Sequence, residues 1–312
     1  MKPISPATLL ILFICTALSS CMTFESQDIV YHHDDEKDEI RITLNYHGIF
    51  GHLSQNNPED MATNDSLNQK QIEQLESVLE QKRAFFFSNW IFEYDPRALS
   101  EILTKDKPTT GGRVFGKPEK ELVQNLLKNI EVINIGFYLG NEGKVCGAQT
   151  LRIKNLSSIL TLANQVIQRQ TIAHIPEWRE RLASKAQNTL DENTLDEEAI
   201  QLLEKKMATP YMFIKIDGNL ITLQFPSIYN NPEKKAQSIS NELPHVADIS
   251  IKDGDFIIKV GSPSGETGKL QKKCNDGYSP NAKNYLEEEY KSLFMSQNKV
   301  EKKLQSFLDS QN

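Results

Sequence analysis

Residues 212–225 of this 312-residue chain read MFIKIDGNLITLQF, two apolar runs on either side of Asp217-Gly218. An Asp-Gly pair between alternating runs predicts a tight β-hairpin, because both residues tolerate the positive φ angles that such turns require. The pattern returns in Asp248–Lys252, Asp253-Gly254 and Asp255–Val260. The last third of the chain is therefore predicted to contain two antiparallel hairpins.

A third hairpin is predicted further towards the N-terminus. Glu131–Leu139 is rich in β-branched and aromatic residues, Gly140–Gly143 provides a turn, and Lys144–Ile153 returns. Glu39–Tyr46 alternates as a half-buried strand, and segments of helical spacing lie between these strands. Hairpins with intervening helices, without strict strand–helix alternation, predict an α+β fold.

The domain boundaries follow changes in composition. A tandem pentapeptide, Asn188–Glu192 and Asn193–Glu197, marks a charged connector, since a five-residue period keeps no single face of a helix. The C-terminal lobe is expected to end in a long helix from about Asn281, packed across the sheet in preference to forming a coiled coil with a partner. The predicted divisions are a signal peptide over 1–20, a flexible tether over 21–38, an N-terminal lobe over 39–172, a helical connector over 173–208 and a C-terminal lobe over 209–312.

The first residues have the layout of an export signal. Lys2 gives a positive start, Ala7–Leu18 is mostly apolar, and Leu18-Ser19-Ser20-Cys21 supplies small residues before a cysteine. The apolar run is shorter than the roughly 20 residues that cross a bilayer. This segment resembles the lipobox of bacterial lipoproteins. The resemblance implies that the Cys21 thiol receives a diacylglyceryl group, with palmitate-type acyl chains, and that the signal is removed before it. In a Gram-negative host, the resemblance also implies that Met22, in place of Asp directly after the cysteine, favours transfer to the outer membrane.

The tether and the overall charge limit the partners. Residues 22–38 contain His32-His33-Asp34-Asp35-Glu36, and we expect them to be solvated and mobile. These side chains could bind a transition metal adventitiously, but no preorganised metal site and no cofactor is expected. The formal net charge of −7 argues against nucleic-acid binding, because an acidic protein repels phosphate backbones. The expected partners are the membrane, through the lipid, and a protein.

Motifs for catalysis are incomplete. Residues 111–117 imitate a phosphate loop, but Pro118 stands where a Ser or Thr must bind magnesium. Residues 265–269 lack the first glycine of that motif, and residues 261–265 place Pro263 at the centre of a G-x-S-x-G pattern. All three stretches are interpreted as loops. The histidines of the folded part, His47, His52, His174 and His245, have no nucleophile or acid partner by spacing, so no catalytic residue is assigned.

Two cysteines remain after the signal peptide and the lipidation site. Cys146 and Cys274 could form a disulfide in an oxidising compartment, which would close a long loop of the chain. Alternatively, Cys146 is a small buried hydrophobic residue of its strand. The aromatic cluster Phe85–Phe87, Trp90 and Phe92 is interpreted as core packing, with a ligand groove as the alternative.

The sequence thus favours a non-enzymatic binding or scaffolding lipoprotein of the cell envelope. The alternative is an envelope hydrolase whose site is assembled from residues distant in sequence. A cleft containing Cys146 or His245 beside a carboxylate would favour the hydrolase.

Overall fold

The computed structural model describes residues 22–51, 80–86, 92–104, 116–140, 143–185, 197–228, 248–262, 267–273 and 294–309, together with positions 77, 232, 233, 236 and 237. The strands are β1 (Met22–Asp34), β2 (Glu39–Gly51), β3 (Ala84–Phe86), β4 (Phe92–Tyr94), β5 (Ile130–Leu139), β6 (Val145–Lys154), β7 (Ile214–Asp217), β8 (Asn219–Pro226), β9 (Asp248–Lys252), β10 (Asp255–Ser262), β11 (Gly268–Lys273) and β12 (Phe294–Met295). The labelled helices are α1 (Pro96–Thr104), α2 (Lys117–Asn129), α3 (Leu156–Lys185), α4 (Glu197–Met207) and α5 (Gln297–Asp309). The predicted α+β class is confirmed.

The largest sheet has six strands in the order β11-β1-β2-β6-β5-β12. All of its neighbours are antiparallel except β12, which pairs in parallel with Phe137 and Tyr138 of β5. A β-bulge between Asn134 and Gly136 shifts the register of β5 against β6. Strands from both ends of the chain therefore meet in one sheet.

The second sheet has four strands in the order β7-β8-β10-β9 and contains both Asp-Gly hairpins. In the β9–β10 turn, Asp253 has φ 53° and Gly254 has φ 76°, as the prediction requires. In the β7–β8 hairpin, Asp217 pairs with Leu220, so the two-residue turn is Gly218-Asn219. The hairpin is confirmed with its turn one residue later than predicted.

The six-stranded sheet has one apolar face and one polar face. The apolar face carries Leu44, Phe137 and Leu151 and is covered by α1, α2 and the β3–β4 pair, which contributes the fully buried Phe85. The second sheet adds a further core with α3 and α4, centred on Ile200, Leu203, Phe213, Phe225 and Phe256. Phe85 thus has the core role expected from the sequence, while Phe87 and Trp90 lie outside the described residues.

The expectation of a flexible tether over 21–38 is wrong for the described part of that segment. Residues 22–34 form β1, which pairs along its length with β2 and with β11. Tyr31 is buried, and its hydroxyl lies 3.0 Å from the Asn219 carbonyl oxygen and 3.1 Å from that of Val260. Because a Cβ at Gly268 would lie 2.0 Å from Cζ of Tyr31, only glycine allows β11 to approach this ring. The segment is ordered by burial of Tyr31 and by two ladders of hydrogen bonds.

Residues 268–273, which the sequence placed partly in a loop, form β11 at the edge of the large sheet. The terminal helix is shorter than predicted: α5 has 13 residues, while residues 281–293 lie outside the described part.

Because β11, β12 and α5 pack on the large sheet, the boundary at residue 209 does not separate two independent lobes. The boundary at 173 also fails, since α3 continues through His174 and Pro176 to Lys185.

No helix in the described part of the chain is both long enough and apolar enough to span a membrane.

Candidate functional site

Helix α5 crosses the polar face of the six-stranded sheet and divides it into two clefts. The side chains of Cys146 and Ala148 on β6 contact Val300, with Leu304 packed beside them. Val145 and Leu151 point to the opposite, apolar face, as the alternation of a strand requires. The helix therefore covers the middle of the polar face and leaves both sides of it open.

Two arginine side chains of the sheet hold the C-terminal end of α5. Nη1 of the buried Arg41 donates a hydrogen bond to the Leu308 carbonyl at 2.8 Å and lies 3.4 Å from the Phe307 carbonyl oxygen. The Arg152 guanidinium lies 5.7 Å from the centre of the Phe307 ring. Cations stabilise a helix C-terminus because its last carbonyls lack partners within the helix. This arrangement fixes the position of α5 on β2 and β6.

The cleft between α5 and strands β5 and β6, called the β5 cleft, has a volume of about 940 Å³. Its lining residues are Ile133, Asn134, Ile135, Thr150, Ser296, Asn298, Lys299, Lys302, Lys303, Ser306 and Phe307. Ile133 is 41% exposed, which is high for a large apolar side chain. Thr150 is only 1% exposed, yet its Oγ1 has no hydrogen-bond partner among the described residues. An apolar surface and an unsatisfied buried hydroxyl thus occur in one cleft.

The cleft on the other side of α5, called the β1 cleft, has a volume of about 700 Å³. Asp28, Val30 and His32 of β1 line its floor, and Glu301, Gln305 and Asp309 line its helical wall. The two flanks of α5 therefore differ in charge: lysines face the β5 cleft, and carboxylates face the β1 cleft. The helical period of 3.6 residues produces this separation, since positions 299, 302 and 303 share one flank and 301, 305 and 309 share another.

A Cys, a His and an Asp lie side by side where α5 begins. His47 Nε2 is 2.8 Å from Asp28 Oδ2. The register that pairs Tyr46 with Gly147 puts His47 opposite Cys146 on the next strand. The hydrogen bond to Asp28 and a hydrogen bond with Cys146 raise the pKa of His47 to about 9, although burial opposes the rise. His47 is therefore mainly an imidazolium at neutral pH.

Tyr138 extends this polar row. Its hydroxyl donates a hydrogen bond to Asn45 Oδ1 at 2.8 Å. Burial, followed by the nearby Cys146 side chain, raises the pKa of Tyr138 above its usual range. The phenol thus stays protonated over the physiological pH range and serves as a hydrogen-bond donor.

The structure places the sequence-predicted cysteines as follows. Cys146 is buried in β6 and has no disulfide partner among the described residues; its expected partner Cys274 lies outside them, as does Cys21. Lys273, the residue before Cys274, is on β11, which β1 and β2 separate from β6. The pairing of the two cysteines stays a prediction.

The predicted histidines do not come together. His174 lies within α3, with Nδ1 3.1 Å from Glu177 Oε2. His33 Nδ1 is 3.0 Å from the Gly218 carbonyl oxygen, which ties β1 to the second sheet. His52 and His245 lie outside the described residues. Over the described ranges, no three His, Cys, Asp or Glu side chains are arranged to hold a metal ion.

Sequence reasoning missed Asp28, Thr150 and the lysines of α5. Asp28 lies in the segment that the sequence predicts as a tether, although Ile29 and Tyr31 alternate with it as in a strand. The three lysines have helical i, i+3, i+4 spacing, which is readable in the sequence. The sequence does not show that these lysines face β5, because β5 lies more than 140 positions earlier in the chain.

Comparisons with protein-family models, with curated proteins and with solved structures find no match to this chain.

Proposed function

We propose that this chain is a lipid-anchored protein of the cell envelope that binds a partner molecule in the β5 cleft without altering it chemically. The observation that carries the proposal is the occurrence of exposed Ile133 and unsatisfied Thr150 in the lining of one cleft. Binding sites are concave and largely apolar, with a few polar groups that fix the orientation of the ligand. The β5 cleft is concave and combines the apolar side chains of Ile133, Ile135 and Phe307 with polar groups of β6 and α5.

A photo-crosslinking experiment tests binding in the β5 cleft. Benzoylphenylalanine is introduced at Ile133 in growing cells, and intact-protein mass spectrometry then detects any adduct. The matched control is Leu202, which is 40% exposed but lies on α4, away from the large sheet. We expect an adduct at position 133 and none at 202. Equal adducts at both positions, or none at 133, would contradict the proposal.

The anchor is tested separately. The lipobox resemblance around Cys21 supports attachment by several acyl chains on one residue, which hold a protein stably where a single chain does not. Changing Cys21 to Ala should abolish labelling by radioactive palmitate and release the protein from the membrane fraction or leave an unprocessed precursor. A Cys21→Ala protein that is processed and still membrane-bound would show that another feature holds it.

A cysteine hydrolase is the second candidate, favoured by the row Asp28–His47–Cys146. A histidine that is oriented by a carboxylate and lies next to a thiol is the arrangement that activates cysteine nucleophiles. Against this candidate, Cys146 is only 4% exposed and Val300 packs on it. A substrate therefore reaches the thiol only if α5 moves.

Kinetics on activated esters decide between the two candidates. A hydrolase should release nitrophenol from nitrophenyl acetate in a burst that Cys146→Ala abolishes and His47→Gln slows at least 100-fold. His174→Gln, on α3, serves as the control and should leave the rate unchanged. If the wild type and Cys146→Ala react at the same rate, the hydrolase is excluded and the binding function is retained.

A further inference from the structure

We propose that the β5 cleft binds an anionic amphiphile, a molecule in which a carboxylate or phosphate group is joined to an apolar body. This inference rests on the proposed binding function and adds the chemical class of the ligand. Three independent properties of the cleft support it: its charge, its unsatisfied hydroxyl and its exposed apolar surface.

The charge of the cleft selects an anion. Lys299, Lys302 and Lys303 line it from one flank of α5, where residues three and four apart are neighbours. The whole chain has a formal net charge of −7, so this row is a local positive region on an acidic protein. Glu301 and Asp309 face the other cleft and do not line this one. An acidic group is attracted here, while a cation is repelled.

The hydroxyl of Thr150 can donate a hydrogen bond to the anionic group of the ligand. Buried polar groups are nearly always hydrogen-bonded, and one without a partner carries the full cost of its desolvation. Oγ1 of Thr150 has no partner among the described residues, and Thr150 lines the cleft. Oγ1 itself is covered by neighbouring atoms, so a carboxylate or phosphate oxygen accepts its hydrogen bond after a local shift of the cleft lining, and binding then removes this cost.

The remaining surface suits an apolar body. Ile133, Ile135 and Phe307 line the cleft, and Ile133 is among the most exposed large apolar side chains in the described part of the chain. The volume of about 940 Å³ lies at the upper end of the range for small-molecule sites, about 300–1,000 Å³. An acyl chain or ring that covers Ile133 would remove this surface from water.

Calorimetric titration with decyl phosphate, kept below its micellar concentration, tests the proposal on the Cys21→Ala protein purified without lipid. We expect saturable binding with one site per chain. The triple variant Lys299→Gln, Lys302→Gln, Lys303→Gln should weaken it at least 10-fold, and Thr150→Val about 3- to 10-fold. The matched control replaces the exposed Lys205, Lys252 and Lys259 with Gln and should change the affinity less than 2-fold. Urea unfolding confirms that each variant is folded.

Other ligands separate the alternatives. If decanol binds as tightly as decyl phosphate, the charge plays no part in binding. If inorganic phosphate binds as tightly as decyl phosphate, the apolar body plays no part. Binding to phosphatidylglycerol vesicles without binding to monomeric decyl phosphate would assign the lysine row to a membrane surface. Each of these results overturns the proposal, as does unchanged affinity in the triple variant.

The failure of this inference is distinguishable from that of the proposed function. If decyl phosphate does not bind but the position-133 crosslinker gives a protein adduct, the cleft binds a protein and only the ligand class is wrong. If neither result appears, the binding function fails as well.

Discussion

His47 links the stability of the protein to pH. Its pKa, raised from 6.5 to about 9 chiefly by the hydrogen bond to Asp28, is higher in the folded state than in the unfolded state. A raised pKa adds stability that is complete below pH 6.5 and is lost as the pH rises through 9. Because the imidazole is 33% exposed, solvent screening reduces the contribution, and we expect about 1–2 kcal/mol.

Urea unfolding at pH 6 and at pH 9.5 measures this loss. In Asp28→Asn the imidazolium has no carboxylate partner, so the difference between the two pH values should fall by more than half. Asp248→Asn, which changes an exposed carboxylate at the start of β9, is the control and should behave as the wild type. An equal pH dependence in Asp28→Asn and the wild type would mean that the pair does not stabilise the fold.

Thr150 provides a second prediction at this scale. Replacing it with Val keeps the shape of the side chain and removes the unsatisfied hydroxyl. The change should leave the free energy of unfolding unchanged or raise it by about 1 kcal/mol, because no intramolecular hydrogen bond is lost. Urea denaturation measures it. A loss of 2 kcal/mol or more would show that the hydroxyl has a partner in the folded protein.

Among the secondary-structure elements, β1 is ordered because its apolar side chains are buried in the core. Ile29 is 3% exposed in the main core, so Ile29→Ala should cost about 2–4 kcal/mol through lost burial and the cavity left behind. Ile133→Ala, at a site 41% exposed, is the matched control and should cost no more than about 0.5 kcal/mol. Thermal or urea unfolding measures both. If both variants lose the same small amount of unfolding free energy, residues 22–34 are not packed in solution.

The elements that local sequence predicts are those joined by short turns. The β9–β10 and β5–β6 hairpins could be predicted because turn residues and alternation lie within about twenty positions of each other. β1 and β11 could not, because Ser26 pairs with Lys273 across most of the chain. In the sequence, Asp28 and His32 favour a solvated segment over a strand. Both residues lie on the polar face of the sheet, which explains their presence in β1. The candidate site lies on that polar face, and hydrophobic patterning alone does not reveal it.

On the scale of the whole molecule, the two ends of the chain are interleaved. The large sheet takes β1 and β2 from residues 22–51, β5 and β6 from residues 130–154, β11 from residues 268–273 and β12 from residues 294–295. The β5 cleft joins residues far apart in the sequence, because its lining comes from β5 and β6 and from residues 296–307. A site of this kind exists only when the complete fold has formed.

Cutting the chain tests this interleaving. A specific protease site inserted between Lys185 and Glu197 would give two pieces, the first with β1, β2, β5 and β6, the second with β11, β12, α5 and the second sheet. We expect the cleaved pieces to elute together from a sizing column, because six residue pairs join β11 to β1 and α3 packs with α4 in a shared core. Urea should separate them, and uncut protein is the reference. Independent lobes would elute as two species without denaturant, and that result would contradict the single interleaved fold.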